Sequence, residues 1–166
     1  MHHPKDLIQQ YQLQPHPEGG WYTETYKSDE SIPTSGLPAR FEGERFFSSA
    51  IYFLLEQGQF SAFHQIKSDE CWHFYAGGSL LIYIIHHNSS LEVVSLGPNT
   101  ADGDRFQYVV PANTWFASIP AHNSSFSFVG CTVAPAFDFA DFELANRQEL
   151  IDQFPQHQKL ITQLTR

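Results

Sequence analysis

Between residues 47 and 134, apolar and polar positions alternate in short runs, and each run ends at turn-forming residues. The runs cover 47–55, 60–66, 71–76, 80–87, 92–96, 106–110, 115–119 and 125–134. Between them stand Gln57-Gly58, Ser68-Asp69, Gly77-Gly78, His87-Asn88-Ser89-Ser90, Gly97-Pro98-Asn99, Asp102-Gly103-Asp104, Ala112-Asn113 and His122-Asn123-Ser124. Short strands with brief turns and no intervening helical period predict an antiparallel sandwich or jelly-roll barrel. A parallel sheet is excluded, because it needs long crossovers. The flanks differ. Leu7, Ile8 and Tyr11 have helical spacing over residues 4–13, and Pro15 and Pro17 are expected to end that helix. Residues 28–43, rich in Ser, Pro, Gly and charge, read as a surface loop near one mouth of the fold, a lid or a tolerated insertion. After Pro135, Leu144, Leu150, Ile151 and Phe154, then Leu160, Ile161 and Leu164, predict two helical pieces over residues 143–164, broken at Pro155. A chain of 166 residues organised in this way reads as one domain, 1–166, with its barrel core at about 47–134.

The stretch from Gly58 to Gly77 carries the candidate chemistry. In an extended run Phe60, Ala62, His64 and Ile66 share one face, and after a turn Glu70, Trp72 and Phe74 form a second set. One imidazole and one carboxylate therefore converge across a hairpin, inside aromatic walls. Fifteen phenylalanines and an aromatic content of 15% supply many rigid groups to place, and a barrel lumen is one place for them. A net charge of −9 repels a phosphate backbone and argues against nucleic acid as a partner. Apolar runs such as 80–85 are far shorter than the roughly 20 residues of a membrane helix. The first 13 residues show no apolar signal segment, so a cytoplasmic location is the expectation. Cys71 and Cys131, only two and far apart in apolar runs, read as free thiols.

Gly58, His64, Glu70 and Gly77 match the first signature of the cupin superfamily, G-x5-H-x-H-x3-E-x6-G, with Ile66 in the place of the second histidine. At the second signature Asn113 takes a glycine position and Phe116 the histidine position. The chain also resembles, over nearly its whole length, a subfamily of single-domain cupins with no established function. That resemblance rests on residues 16–22, 50–55, 68–77, 110–115 and 130–143. It implies an all-β fold, the double-stranded β-helix or jelly-roll barrel of the cupins, with short terminal helices.

Metal-binding cupins resemble one another in using three histidines and a glutamate. Here only His64 and Glu70 remain, and Ile66 and Phe116 donate no lone pair, so neither a metal nor another cofactor is expected. The resemblance to metal-independent dTDP-sugar epimerases implies His64 as general base, with Glu70 orienting it, in an epimerase or isomerase acting on a sugar-like carbonyl compound. The general acid stays open among Tyr52, Tyr83 and Tyr108. Ile66, Trp72, Phe74, Tyr83, Trp115 and Phe116 are the expected lining of a small-molecule pocket. Two alternatives stand beside this reading: a binding module that turns nothing over, and a metal-dependent dioxygenase or isomerase. Cys71, His73 and Tyr75 form an outer face that wants a cover, and cupins of this kind resemble homodimers, so a homodimer is expected.

Overall fold

The computed structural model describes residues 3–166. In chain order the elements are α1 (Pro4–Gln10), β1 (Gln14–Pro15), β2 (Trp21–Lys27), β3 (Ser31–Ile32), β4 (Arg45–Phe46), β5 (Ser49–Glu56), β6 (Ser61–Ile66), β7 (Asp69–Gly77), β8 (Leu80–Ile85), β9 (Leu91–Leu96), β10 (Gln107–Val110), β11 (Trp115–Pro120), β12 (Phe126–Ala134), β13 (Phe142–Leu144), α2 (Arg147–Gln153) and α3 (Gln158–Gln163). A six-stranded sheet runs β1-β2-β5-β12-β7-β10 and a five-stranded sheet runs β13-β6-β11-β8-β9. Every pairing within them is antiparallel. β12 organises the larger sheet, since it pairs with β5 on one side and β7 on the other.

Alternation decides what each sheet buries. Phe53, Leu55, Trp72, Val129 and Cys131 from the larger sheet meet Leu80, Ile82, Ile84, Val94, Leu96 and Phe116 from the smaller one in a single core. The opposite face of the smaller sheet is also apolar. Phe63, Ile85 and Ala117, with Tyr83, Trp115 and Ile119, are covered by Leu150, Phe154, Ile161 and Leu164 of the C-terminal segment. A third cluster seats Leu7 of α1, with Leu13, on Leu54, Phe126 and Phe128 of the larger sheet.

Three expectations need correction. α1 ends at Gln10, before the prolines, because Gln12 turns to φ +53 and the Leu13 N–H reaches back to the Ile8 carbonyl. Residues 143 and 144, read as the start of the helical segment, belong instead to β13 (Phe142–Leu144) beside β6, with Leu144 opposite His64. The helices begin only at Arg147, behind an Asn146 cap that accepts from the Gln148 and Glu149 N–H groups. Finally, residues 28–43 hold β3 and a 3-10 turn, and none of them lines the cavity described below. Asn113 does take the left-handed conformation of the glycine it replaces, φ +56. Among the described residues, no helix is long and apolar enough to cross a membrane.

Candidate active site

A cavity of about 260 Å³ opens between the sheets beside the core. Its polar walls are His16, Glu18, Glu24, Ser49, His64 and Glu70, and its mouth is ringed by Phe137, Phe139 and Phe142. β6 brings His64 in, with Phe116 of β11 opposite it and their rings 4.2 Å apart. β7 brings Glu70, flanked by Val110 and Val133 on the neighbouring strands.

Glu18 arrives from the loop before β2, and the glycines set its path. Gly19 and Gly20 have φ +115 and +78, and a Cβ on Gly19 would overlap the Phe60 carbonyl. The loop is then stitched to β6 by Ala62, whose N–H donates to the Glu18 carbonyl at 2.8 Å. The same residue's carbonyl accepts from His64 Nδ1 at 2.7 Å. One residue of β6 thereby positions both partners of a buried pair, His64 Nε2 to Glu18 Oε2 at 2.9 Å.

The proton inventory follows from these contacts. A carbonyl only accepts, so Nδ1 of His64 carries a hydrogen, and the Nε2–Oε2 contact must hold another proton. Burial alone would pull the imidazole down, but the charge and hydrogen bond of Glu18, helped by Glu70 and the Ala62 carbonyl, carry it above its usual range. Glu18 moves the other way: burial pushes up, and His64 outweighs it to hold the carboxyl below the usual range. The pair is imidazolium and carboxylate.

Glu70 stands apart from that pair. Burial raises it, His64 opposes, Glu18 adds repulsion, and its pKa is pushed up to about 7. Its Oε2 is buried without a hydrogen-bond partner, as is Nε1 of nearby Trp72. Burial also drives the adjacent Cys131 thiol well above its ordinary value, which leaves it an inert wall.

Of the side chains expected around the pocket, the structure gathers His64, Glu70 and Ile66 on its walls. Trp72 and Phe116 lie in the core behind it, edge to face, and Phe74 packs against the same cluster. Tyr83 and Trp115 belong to the opposite face of the small sheet, beneath α2 and α3. The reason is parity: each neighbours an inward residue, Ile84 or Phe116, and so points away from it. None of Tyr52, Tyr83 and Tyr108 lines the cavity, whereas Tyr22 does. Sequence reasoning missed Glu18, although His16-Pro17-Glu18-Gly19-Gly20 places two titratable groups beside a pair of conformationally free residues. It also missed the phenylalanine mouth.

A divalent ion does not fit the residues present. Ile66 and Phe116 fill two of the ligand positions of metal-binding cupins, and both nitrogens of His64 are committed to Ala62 and Glu18. Among the described residues, no group of three or more His, Cys, Asp and Glu side chains is arranged to hold one.

Two antiparallel sheets closed on a cavity, with a histidine and a glutamate facing inward from β6 and β7, define a jelly-roll barrel of the cupin type. The chain belongs to the Cupin superfamily (DUF985), which matches residues 5–145. It is similar to protein SO0799 from Shewanella oneidensis, with 38% identity, a TM-score of 0.89 and coverage of 100% of this chain and 99% of that one. A hypothetical protein from Leishmania major is 30% identical, with a TM-score of 0.88 and coverage of 99% of each chain. An uncharacterized protein of Saccharomyces cerevisiae, YML079W, is 27% identical over 146 residues, spanning 82% of this chain and 72% of that protein. Oxalate decarboxylase from Bacillus subtilis shares the fold alone: 12% identity and a TM-score of 0.55, over 90% of this chain and 36% of that one.

Proposed function

We propose that this cupin binds a small sugar-like carbonyl compound and moves a proton next to its carbonyl, as a metal-independent isomerase or epimerase. The observation that carries the reading is a pair of carboxyls in one cavity whose environments drive their protonation apart, Glu18 below and Glu70 above the usual range. Such a divergence separates a base from an acid. His64 as direct base does not suit the geometry, because both of its nitrogens are engaged. The role passes to Glu18, with His64 as the partner that fixes its charge. The C–H bond next to the carbonyl breaks, its proton goes to Glu18, and its electron pair moves to the carbonyl oxygen, which takes the Glu70 proton. Returning a proton to the opposite face yields the epimer; returning it to the neighbouring carbon yields the isomer.

The test is deuterium incorporation from D2O at the carbon next to the carbonyl, across a panel of aldoses and ketoses. Glu70→Gln and Glu18→Gln should each slow exchange by about 10²–10⁴-fold while the ligand still binds. Exchange unchanged in both variants, or binding without exchange in the unaltered protein, favours a binding module that turns nothing over.

The larger sheet's outer face motivates a second proposal, a homodimer. α1 covers Leu54 and Phe128, yet Tyr75 remains 50% and Val109 45% exposed beside Cys71 and His73. Light scattering at micromolar concentration should return twice the chain mass, and Tyr75→Glu with Val109→Glu should halve it. A monomer in the unaltered protein rules this out.

A further inference from the structure

The cavity wall contains no lysine or arginine, and one of its histidines is held in a single protonation form. The Glu18 N–H donates to His16 Nδ1 at 3.2 Å, so that nitrogen acts as an acceptor and the ring proton sits on Nε2. Nδ1 also lies 3.8 Å from Glu18 Oε1, but that is beyond hydrogen-bonding reach, and the shorter contact decides. Burial lowers the His16 pKa, and nearby His64 adds to that against the pull of Glu18, so the net shift agrees with a neutral ring. The ring is clamped edge-on against Tyr22 at 4.5 Å and Phe53 at 6.0 Å. Its Nε2–H has no hydrogen-bond partner among the described residues, and the residue lines the cavity. The one cation on the cavity wall, His64, is already paired with the Glu18 carboxylate, and Glu70 adds a negative charge when it ionises. An anion entering such a space loses its hydration and finds no unpaired cation there to offset the loss.

We propose that the cavity selects an uncharged carbonyl compound of about monosaccharide size, with His16 Nε2–H as the donor to its carbonyl oxygen, and that anions are turned away because its wall offers them no free counter-charge. The inference rests on the ligand-binding part of the reading above and is independent of whether a proton is moved. A neutral imidazole suits the task, because it supports a developing oxyanion without adding a charge that would collapse onto Glu18. The size follows from the cavity, whose 260 Å³ is just below the roughly 300–1,000 Å³ of pockets for drug-sized ligands. The lack of a free cation also argues against the dTDP-sugars of the resembling epimerases, and against dicarboxylates.

The experiment has two readouts on the full chain. Ring-nitrogen NMR at pH 7 should show His16 as the neutral Nε2–H form, with that signal moving when D-xylulose or D-fructose is added. Calorimetry should then rank D-xylulose and D-fructose above D-xylulose 5-phosphate and oxalate by at least about tenfold, a floor for the cost of desolvating one unpaired charge. His16→Asn keeps an acceptor for the Glu18 N–H, in the manner of an Asx turn, and shortens the side chain out of reach. His16→Phe keeps the aromatic packing instead. Both should weaken D-xylulose by about 5–10-fold, one hydrogen bond's worth, while leaving D-xylitol, which lacks the carbonyl, unchanged. An imidazolium or an Nδ1–H form at His16 overturns the proposal. So do anions that bind as well as ketoses, equal losses for xylulose and xylitol, and failure of every neutral ketose to bind. Deuterium exchange enters none of these readouts, so a silent site that still prefers ketoses sinks the catalytic reading and leaves this one standing.

Discussion

Glu70→Gln raises the stability of the protein by about 3 kcal/mol above pH 7 and leaves it unchanged below about pH 4. The sign follows from the direction of the shift. A carboxyl whose folded pKa is raised binds its proton more tightly in the folded state, so folding is penalised as pH climbs from the unfolded value near 4.5 to the folded value of about 7. Above that window the penalty is constant, and each pKa unit is worth about 1.4 kcal/mol. Glutamine is close in shape and has no charge to desolvate, so the variant's stability curve should be flatter through the window. Urea titrations at pH 4, 6 and 8 measure it, provided m-values stay equal. Parallel curves for the two proteins place the Glu70 carboxyl in contact with water and remove it from the site. Glu18 and His64 shape the flanks of the same profile. His64, raised, contributes stability that is full below pH 6.5 and fades as pH rises through its folded value. Glu18, lowered, contributes stability present above pH 4.5 and lost as pH falls through its folded value. A buried carboxyl that destabilises the fold while its Oε2 goes unpartnered is a cost that no packing in the core explains.

The barrel was legible because strand alternation and turn chemistry agree along residues 47–134, and because Gly58, His64, Glu70 and Gly77 hold a fixed spacing. His64 and Glu70 were legible as inward-facing residues for the same reason, since parity in a strand fixes the face. Glu18 was not. It sits in a loop, where no period links side chain to face, and its partner lies on β6, with four strands between them in the chain. Tyr83 failed differently: β8 is apolar on both faces, one toward the core and one toward the C-terminal helices, so alternation gave no sign of which way was in. β13 was hidden by Leu144, whose spacing to Leu150 and Ile151 imitates a helical stripe. What decides that segment is tertiary: residues 142–144 complete the edge of the small sheet against β6.

That edge leads to the phenylalanine mouth and to the substitution that should disturb it most. Asp141 closes the short 3-10 turn Phe139–Asp141, and its two oxygens accept from Arg45 Nε and Nη2 at 2.7 and 2.6 Å. The pair lies just beneath the surface, but both side chains are shielded, at 5% and 3% exposure. The remaining Arg45 donor is spent on the Glu42 and Glu44 carbonyls, and Lys67 is 3.8 Å from Asp141, too far to substitute for it. Asp141→Ala therefore leaves a guanidinium shielded and unpaired, at a cost of about 3 kcal/mol, the low end for breaking a buried pair. The turn that carries Phe139 and leads into Phe142 loses its tether at the same time, so their packing at 6.1 Å should loosen and the cavity should open to water. Arg45→Met combined with Asp141→Leu removes both charges, and it should regain most of the lost stability without restoring the tether. Urea titration reads the first effect, and broadening of the Phe137, Phe139 and Phe142 ring resonances reads the second. A loss below about 0.5 kcal/mol in Asp141→Ala, the range of ordinary surface changes, means that the pair is solvated and does not hold the mouth.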